Sequence, residues 1–304
     1  MTTRGRFAPS PTGPLHLGSL VAAVGSYLHA RHAGGQWLVR IEDLDPPRTV
    51  PGAAEDILHT LEAFGFHWDE PVIYQSQRTD AYEQAFQYLK DQGLVYPCAC
   101  TRSELQALPA NQDGLSEELH YPGTCRHKPI RESESYAWRF RVPNESIHFI
   151  DGIQGEQRMN LNESIGDFVI KRRDGLFAYQ LAVVVDDAAQ HISEVVRGVD
   201  LLSNTPRQIA LQRALQLPTP DYAHLPLAVD RHGNKLSKST HAAALTLDQP
   251  TATLWQVLQL LHQDPPTALQ QEHIHALWQW AIEHWNHNRL NHIQHIMLNN
   301  ALNY

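Results

Sequence analysis

Two stretches of this chain carry residue types suited to handling a nucleoside triphosphate. The first is Arg6-Phe7-Ala8-Pro9-Ser10-Pro11-Thr12-Gly13-Pro14-Leu15-His16-Leu17-Gly18-Ser19, and the second, far along the chain, is Lys235-Leu236-Ser237-Lys238-Ser239. In the first, a Pro- and Gly-rich turn leads into a segment from Ser19 to Ala33 whose apolar residues Leu20, Val21, Val24, Tyr27 and Leu28 recur with a helical period. A helix start beside such a turn leaves backbone N–H groups without partners and carries the positive end of the helix dipole, so it favours phosphate oxygens. Gly18 lets a nucleotide approach the backbone closely, and His16 can donate to phosphate or ribose oxygens as charge builds at the α-phosphate. The second stretch follows the turn Arg231-His232-Gly233-Asn234, which puts Lys235 and Lys238 on a polar loop able to close over a triphosphate. Either stretch alone is compatible with an ordinary surface turn or loop. Together they point to ATP chemistry.

A second constellation is made of sulfur. All three cysteines fall in Cys98-Ala99-Cys100 and Cys125. An odd number this close together is not a disulfide framework. Three thiolates and one further ligand would make a closed tetrahedral zinc site of the structural kind, and by ligand chemistry His120 or His127 would complete it; buried free thiols are the alternative.

Positioning such groups calls for an α/β scaffold, and the apolar patterning supplies one. Strand Arg4–Ala8 is followed by the helix just described, strand Gln36–Ile41, a helix from Gly52 to Phe64, a short strand near Ile73 and an amphipathic helix from Thr79 to Gln92. This reads as half of a doubly wound parallel sheet occupying residues 1–95. From 96 to 175 the pattern changes to cysteines, loops and short strands such as Ala137–Val142, an insertion bearing the zinc site. Strands Leu181–Val185, Ile192–Val196 and Leu225–Val229, with a helix from Thr205 to Leu215, then complete the sheet over 176–230. Residues 231–304 hold the lysine loop and a helical domain rich in His, Gln and Trp. Its histidines, including His273, His275, His284 and His287, share no metal spacing and read as solvated helix faces.

Composition bounds the rest. A hydrophobic content of 42% suffices for real cores, no apolar run approaches a membrane span, and Met1-Thr2-Thr3-Arg4 leads straight into a strand without a secretory leader. A cytoplasmic enzyme is the expectation. The net charge of −9 argues against a broad basic RNA-binding face. Any RNA contact must be local, with Lys171, Arg172, Arg173, Arg207, Arg213 and the Lys235 loop as candidates.

The paired ATP stretches resemble the two signatures of class I aminoacyl-tRNA synthetases, and Arg4 to about Ser239 is similar to the glutamyl-tRNA synthetases, most of all to a short branch of that family. Nucleotidyltransferases of the pantetheine type share the His-x-Gly helix start but carry a second His where Ser19 stands. The resemblance implies a Rossmann-like class I synthetase fold, with His16, Lys235 and Lys238 catalytic and with His16, Gly18 and Lys238 on ATP. An acidic amino acid needs a carboxylate for its ammonium and an arginine for its side-chain carboxylate. Glu42, ending a buried strand, matches the family's ammonium-binding glutamate, and Arg6, Ser10, Tyr179 and Arg197 match its other glutamate contacts. In the short branch a tyrosine four residues before the last cysteine completes the zinc site, which implies the set Cys98, Cys100, Tyr121 and Cys125. Asp186-Asp187 reads as a structural or ribose-side pair, since ATP brings its own Mg²⁺. Val183 and Gln180 stand where the longer enzymes commonly carry Asn and His, which should alter contacts near the glutamate or the acceptor. With only 65 residues after Ser239, no separate anticodon-binding domain is expected. The implied activity is activation of L-glutamate to glutamyl-adenylate and its transfer to the queuosine of tRNA(Asp), with one structural zinc per chain, Mg²⁺ with ATP, no membrane and no stable protein partner. A minimal enzyme charging the tRNA 3′ end and a non-catalytic RNA-binding paralogue are the alternatives.

Overall fold

The computed structural model describes residues 2–108, 119–129, 135–230 and 245–297. Strand β1 (Arg4–Phe7), helix α1 (Leu17–His32), strand β2 (Gln36–Ile41), helix α2 (Ala53–Ala63) and strand β3 (Ile73–Tyr74) form the first winding. The three strands are parallel in the order β1–β2–β3, with Arg6 opposite Leu38 and Phe7 opposite Val39. Helix α1 begins at Leu17 rather than Ser19 because His16 is itself the N-cap, its ring accepting from the Ser19 N–H. The helix is buried on nearly every side, wedged between the sheet and helices α8 (Pro250–Leu260) and α9 (Ile274–His284). Only glycine fits at position 25, where a methyl group would stand 2.4 Å from Leu225 Cδ1.

Helix α3 (Thr79–Asp91) leads to β4 (Val95–Cys98), α4 (Arg102–Gln106), β5 (Ala137–Phe140), β6 (Ser146–Asp151), β7 (Gly155–Asn160), α5 (Leu161–Ser164) and β8 (Phe168–Lys171). Strands β4, β5 and β8 make a separate antiparallel sheet that ends in the cysteines. Strands β6 and β7 do not join it. They extend the sheet of β9 (Glu194–Gly198) and β10 (Asp221–Leu225), giving the order β7–β6–β10–β9.

Leu181–Val185, expected as a strand, lies within helix α6 (Tyr179–Ala189). A short apolar run buried all round has no period to separate strand from helix, and tertiary burial overrides the strand preference of its valines. Two further expectations change. The strand expected over Leu225–Val229 breaks at Pro226, which cannot donate to a ladder, into β10 and β11 (Leu227–Val229). Strand β11 then pairs with β12 (His295–Met297) in a tail expected to be wholly helical. Helix α7 (Thr205–Ala214) follows β9 as expected, with Pro206 in its first turn.

The parallel β1–β2–β3 sheet meets the sheet of β9 and β10, mixed because β6 and β7 pair antiparallel, where β9 runs beside β1. Ser193 N–H donates to Arg4 O at 3.0 Å and Arg4 N–H to Ser193 Oγ at 2.9 Å. Reading across, the order is β3–β2–β1–β9–β10–β6–β7, and the winding reverses between β1 and β9. In open α/β sheets a crevice forms at that reversal, beyond the carboxyl ends of the strands.

Candidate active site

A cleft of about 880 Å³ occupies that crevice. Its walls bring together Arg6, Ser10, His16, Gly18, Glu42, Tyr179 and Arg197, all of the described residues assigned from sequence to ATP or glutamate. Lys235 and Lys238 lie outside the described residues. Each lining residue owes its place to an element end. Arg6 comes from β1, Ser10 from the turn after it, Glu42 from the end of β2, Arg197 from the end of β9 and Tyr179 from the first turn of α6. The backbone is tied as well: Glu42 N–H donates to Pro9 O at 3.0 Å, holding the turn against the end of β2.

At the nucleotide side, His16 Nδ1 accepts from Ser19 N–H at 3.3 Å, and Ser19 Oγ lies 3.2 Å from His16 Nε2. Because His16 is the N-cap, helix α1 starts at the cleft wall, where His16, Gly18 and Ser19 line it, and the end of the helix that favours anions stands beside the cleft. At the amino-acid side, Glu42 and Tyr179 are half-buried. Burial pushes the Glu42 carboxyl above its ordinary value, and the guanidinium of Arg40 at 3.4 Å only partly offsets this. Burial likewise raises the Tyr179 phenol against the opposing pull of Arg197.

Beneath the cleft lies an ion-pair floor that sequence inspection missed. Arg40, wholly buried in β2, pairs with Asp187 at 2.8 Å and donates to Gln190 at 2.7 Å; Arg6 reaches the same Asp187 at 3.1 Å. Burial works to raise the Asp187 carboxyl, but the two arginines outweigh it and the net shift is downward. Asp186 accepts from Arg78 at 2.6 Å, Tyr82 at 2.7 Å and Gln75 at 2.8 Å. The Asp186-Asp187 pair is therefore structural. The available signal was a charged residue in the otherwise apolar strand Trp37-Leu38-Val39-Arg40-Ile41. Arg197 is held by Thr205 Oγ1 at 2.8 Å, His224 Nε2 at 3.1 Å and Tyr179 Oη at 3.3 Å. His224, a lone polar residue near the end of a buried strand, was also missed.

Other sequence candidates are sorted by the fold. Val183 is core, and Gln180 accepts from Gln208 at 3.0 Å; neither side chain lines the cleft. Among the basic residues, Arg207 is buried and donates to Asn204, so it is no surface contact. Arg172 lines the cleft mouth with Arg48, both bonded to Asp45, whose carboxyl they hold below its ordinary value. Lys171 pairs with Glu83, Arg213 with Glu145, and Arg173 donates to the carbonyls of Ala99 and Cys100.

The cysteines converge as a separate centre. The Cys98, Cys100 and Cys125 sulfurs lie within 4.8 Å of one another, with Cys100 to Cys125 at 3.4 Å. Tetrahedral zinc with bonds of about 2.3 Å needs sulfur separations of about 3.8 Å, so the donor set fits a metal. Tyr121 Oη stands 3.3 Å from Cys98 Sγ and accepts from Cys125 N–H at 2.8 Å. Burial and the neighbouring thiols push Cys100 up to about 12. His120, the candidate by ligand chemistry, turns Nε2 toward Asn162 O at 3.1 Å instead. Gly166 supports the centre, because its φ is +74° and a methyl group there would stand 1.9 Å from Tyr121 O. Among the described residues no histidine joins a metal-binding group, and no helix is long and apolar enough to cross a membrane.

Fold and cleft together define a class I synthetase catalytic unit, and the family described as tRNA synthetases class I (E and Q), catalytic domain, matches residues 2–261. The chain is 57% identical over 282 residues to the glutamyl-Q tRNA(Asp) synthetase of Dechloromonas aromatica (strain RCB), covering 93% of each chain. It is 53% identical over 285 residues to the protein of that name from Neisseria meningitidis serogroup C (strain 053442), covering 93% of this chain and 95% of the relative. Among solved structures it is similar to glutamate-tRNA synthetase from Elizabethkingia anophelis, with a TM-score of 0.83 and 26% identity over 99% of this chain and 68% of that one. The chain belongs to the class I tRNA synthetases of the glutamyl and glutaminyl type, in the group whose curated members are glutamyl-Q tRNA(Asp) synthetases.

Proposed function

We propose that this chain activates L-glutamate with ATP and transfers the glutamyl group to the queuosine of tRNA(Asp). The observation that carries the reading is the meeting of Glu42, Arg197 and the capped start of α1 in one cleft, in a chain more than half identical to enzymes of that name. In the first step a glutamate α-carboxylate oxygen attacks the α-phosphorus of ATP, which enters as its Mg²⁺ complex. A P–O bond forms, the bond to the β-phosphate oxygen breaks, and pyrophosphate leaves. In the second step a queuosine hydroxyl attacks the carbonyl carbon, its proton is lost, and AMP leaves.

Catalysis of this kind is positioning plus charge stabilisation, without a covalent enzyme intermediate. Glu42 receives the substrate ammonium, which adds to the partial compensation from Arg40 a positive partner that favours its charged form. Arg197 with Tyr179 takes the side-chain carboxylate, and Arg6 and Ser10 complete the amino-acid pocket. His16 donates to phosphate oxygens, Gly18 and the α1 amides receive the nucleotide, and Lys235 and Lys238 supply cations at the departing pyrophosphate. Cys98, Cys100, Cys125 and Tyr121 would hold one zinc ion, a structural support for the β4–β5–β8 sheet. The RNA approaches past Arg48 and Arg172 at the cleft mouth.

The test is transfer of labelled glutamate. It should attach to tRNA(Asp) containing queuosine, survive removal of the 3′-terminal adenosine, and fail to attach to the same tRNA without queuosine. Labelling of tRNA(Glu) at its 3′ end instead would show a minimal glutamyl-tRNA synthetase, the reading that the likeness to longer glutamate-tRNA synthetases would then carry.

A further inference from the structure

Arg197 is the end of a buried chain of hydrogen bonds crossing three neighbouring parallel strands. Asp151 closes β6, His224 lies near the end of β10, and Arg197 stands directly opposite His224 near the end of β9. Their exposures are 2%, 0% and 5%. Asp151 is locked first. Its Oδ1 accepts three backbone N–H bonds, from Ile153 at 3.0 Å, Gln154 at 2.8 Å and His224 at 3.0 Å, which leaves Oδ2 at 2.5 Å from His224 Nδ1. On the far side of the ring, Arg197 Nε donates to His224 Nε2 at 3.1 Å.

These contacts allow one tautomer. An arginine Nε always carries hydrogen, so His224 Nε2 must present its lone pair, and the ring proton must sit on Nδ1 and be donated to Asp151. Burial and the Arg197 charge depress the imidazole's affinity for a second proton more than Asp151 raises it, which keeps the ring neutral. The acceptor at Nε2 in turn sets how the guanidinium is rolled. Nε faces His224 and Nη2 faces Thr205 Oγ1 at 2.8 Å, so Nη1 turns toward the cleft beside Tyr179 Oη at 3.3 Å. Thr205 alone could not fix this roll, because one bond to Nη2 leaves the guanidinium free to turn about it.

We infer that Asp151 and His224 are positioning residues that orient Arg197 and thereby set the enzyme's selection of an amino acid with a side-chain carboxylate. The inference rests on Arg197 being the carboxylate-binding group of the proposed activity. A neutral amide at position 151 would keep the three backbone bonds but turn an N–H toward His224 Nδ1. The ring would then carry its proton on Nε2 and oppose N–H to N–H at Arg197, rotating the guanidinium out of register.

The test uses the full chain and glutamate-dependent exchange of pyrophosphate into ATP, with KM for glutamate, KM for ATP and kcat determined separately. Asp151→Asn and His224→Asn should each raise the glutamate KM about tenfold or more, the value of a misdirected charge-assisted hydrogen bond, with the ATP KM unchanged. His224→Gln, whose amide oxygen can stand in for Nε2, should recover most of that loss. Nitrogen-15 NMR of the unaltered protein provides a readout independent of any variant: His224 should be neutral and protonated on Nδ1. An imidazolium, or a ring protonated on Nε2, would overturn the inference. So would an Asp151→Asn chain with an unchanged glutamate KM, or one in which the KM values for ATP and glutamate rise together. If the unaltered chain exchanges no pyrophosphate with glutamate, the functional reading fails and this inference fails with it.

Discussion

Replacing Arg197 by alanine separates binding chemistry from folding in this cleft. The side chain is buried and makes bonds to His224, Thr205 and Tyr179, with a longer contact to Leu201 O at 3.4 Å. Truncation removes the only role proposed for its charge, the pairing with the substrate's side-chain carboxylate. A charge-assisted bond contributes about 1.5–3 kcal/mol, so the glutamate KM should rise about 10- to 150-fold. The folded chain should lose less than the number of broken bonds suggests. Thr205 Oγ1 and His224 Nε2 already lie 3.3 Å apart, so the hydroxyl can donate to the ring once the guanidinium is gone. That limits the stability loss to about 1–2 kcal/mol, chiefly the cavity left behind. Arg197→Lys should fall between, because an ammonium keeps the charge but cannot face His224 and the cleft at once. The assay is pyrophosphate exchange across a glutamate series at saturating ATP, with a urea melt of each variant. An Arg197→Ala chain that keeps its glutamate KM would refute the assignment, and an unaltered chain that activates glutamine as well as glutamate would show that the arginine does not select the side chain.

His16→Asn should keep helix α1 capped, since asparagine is among the best N-caps, while removing the ring donor; the thermal midpoint should hold and the exchange rate should fall at least about tenfold, an outcome reversed if His16 is only a cap. Gly166→Ala should strain a left-handed position by about 1–2 kcal/mol and push Tyr121 aside, so elemental analysis should find less zinc per chain with glutamate activation largely kept; full zinc content would argue that Tyr121 is not a ligand. Stability should fall in two stages on acidification. His224 and His287 are depressed by burial, so their contribution is whole above the unfolded value of about 6.5 and is lost as pH falls through their lower folded values. For Asp151, Asp167 and Asp187 burial alone would raise the carboxyl, but hydrogen bonds and positive partners hold each below its ordinary value, so their contribution is lost only as pH falls below about 4. Urea midpoints across pH would contradict this if they were flat from about pH 7 to 3.

What the sequence determined by itself was local. The turn and helix start around His16, the strand Gln36–Ile41 and the helices over 53–63 and 79–91 follow from periodicity and Gly/Pro punctuation, which act over a few residues. The motif pairing and the family resemblance named the cleft residues, and the fold gathers those it describes around one crevice. Tertiary structure decided whatever depends on partners distant in the chain. Leu181–Val185 is helical because the core surrounds it on every side, and no pattern within the run records that. The tail yields a strand because β11 offers it an edge. Asp187 reaches across from α6 to Arg6 and Arg40, and Asp151 reaches Arg197 only through a histidine on a third strand. A lone His or Arg in an apolar strand signals a buried partner. Which partner, and what that pairing orients, is set by strand order and register, and these exist only once the sheet has formed.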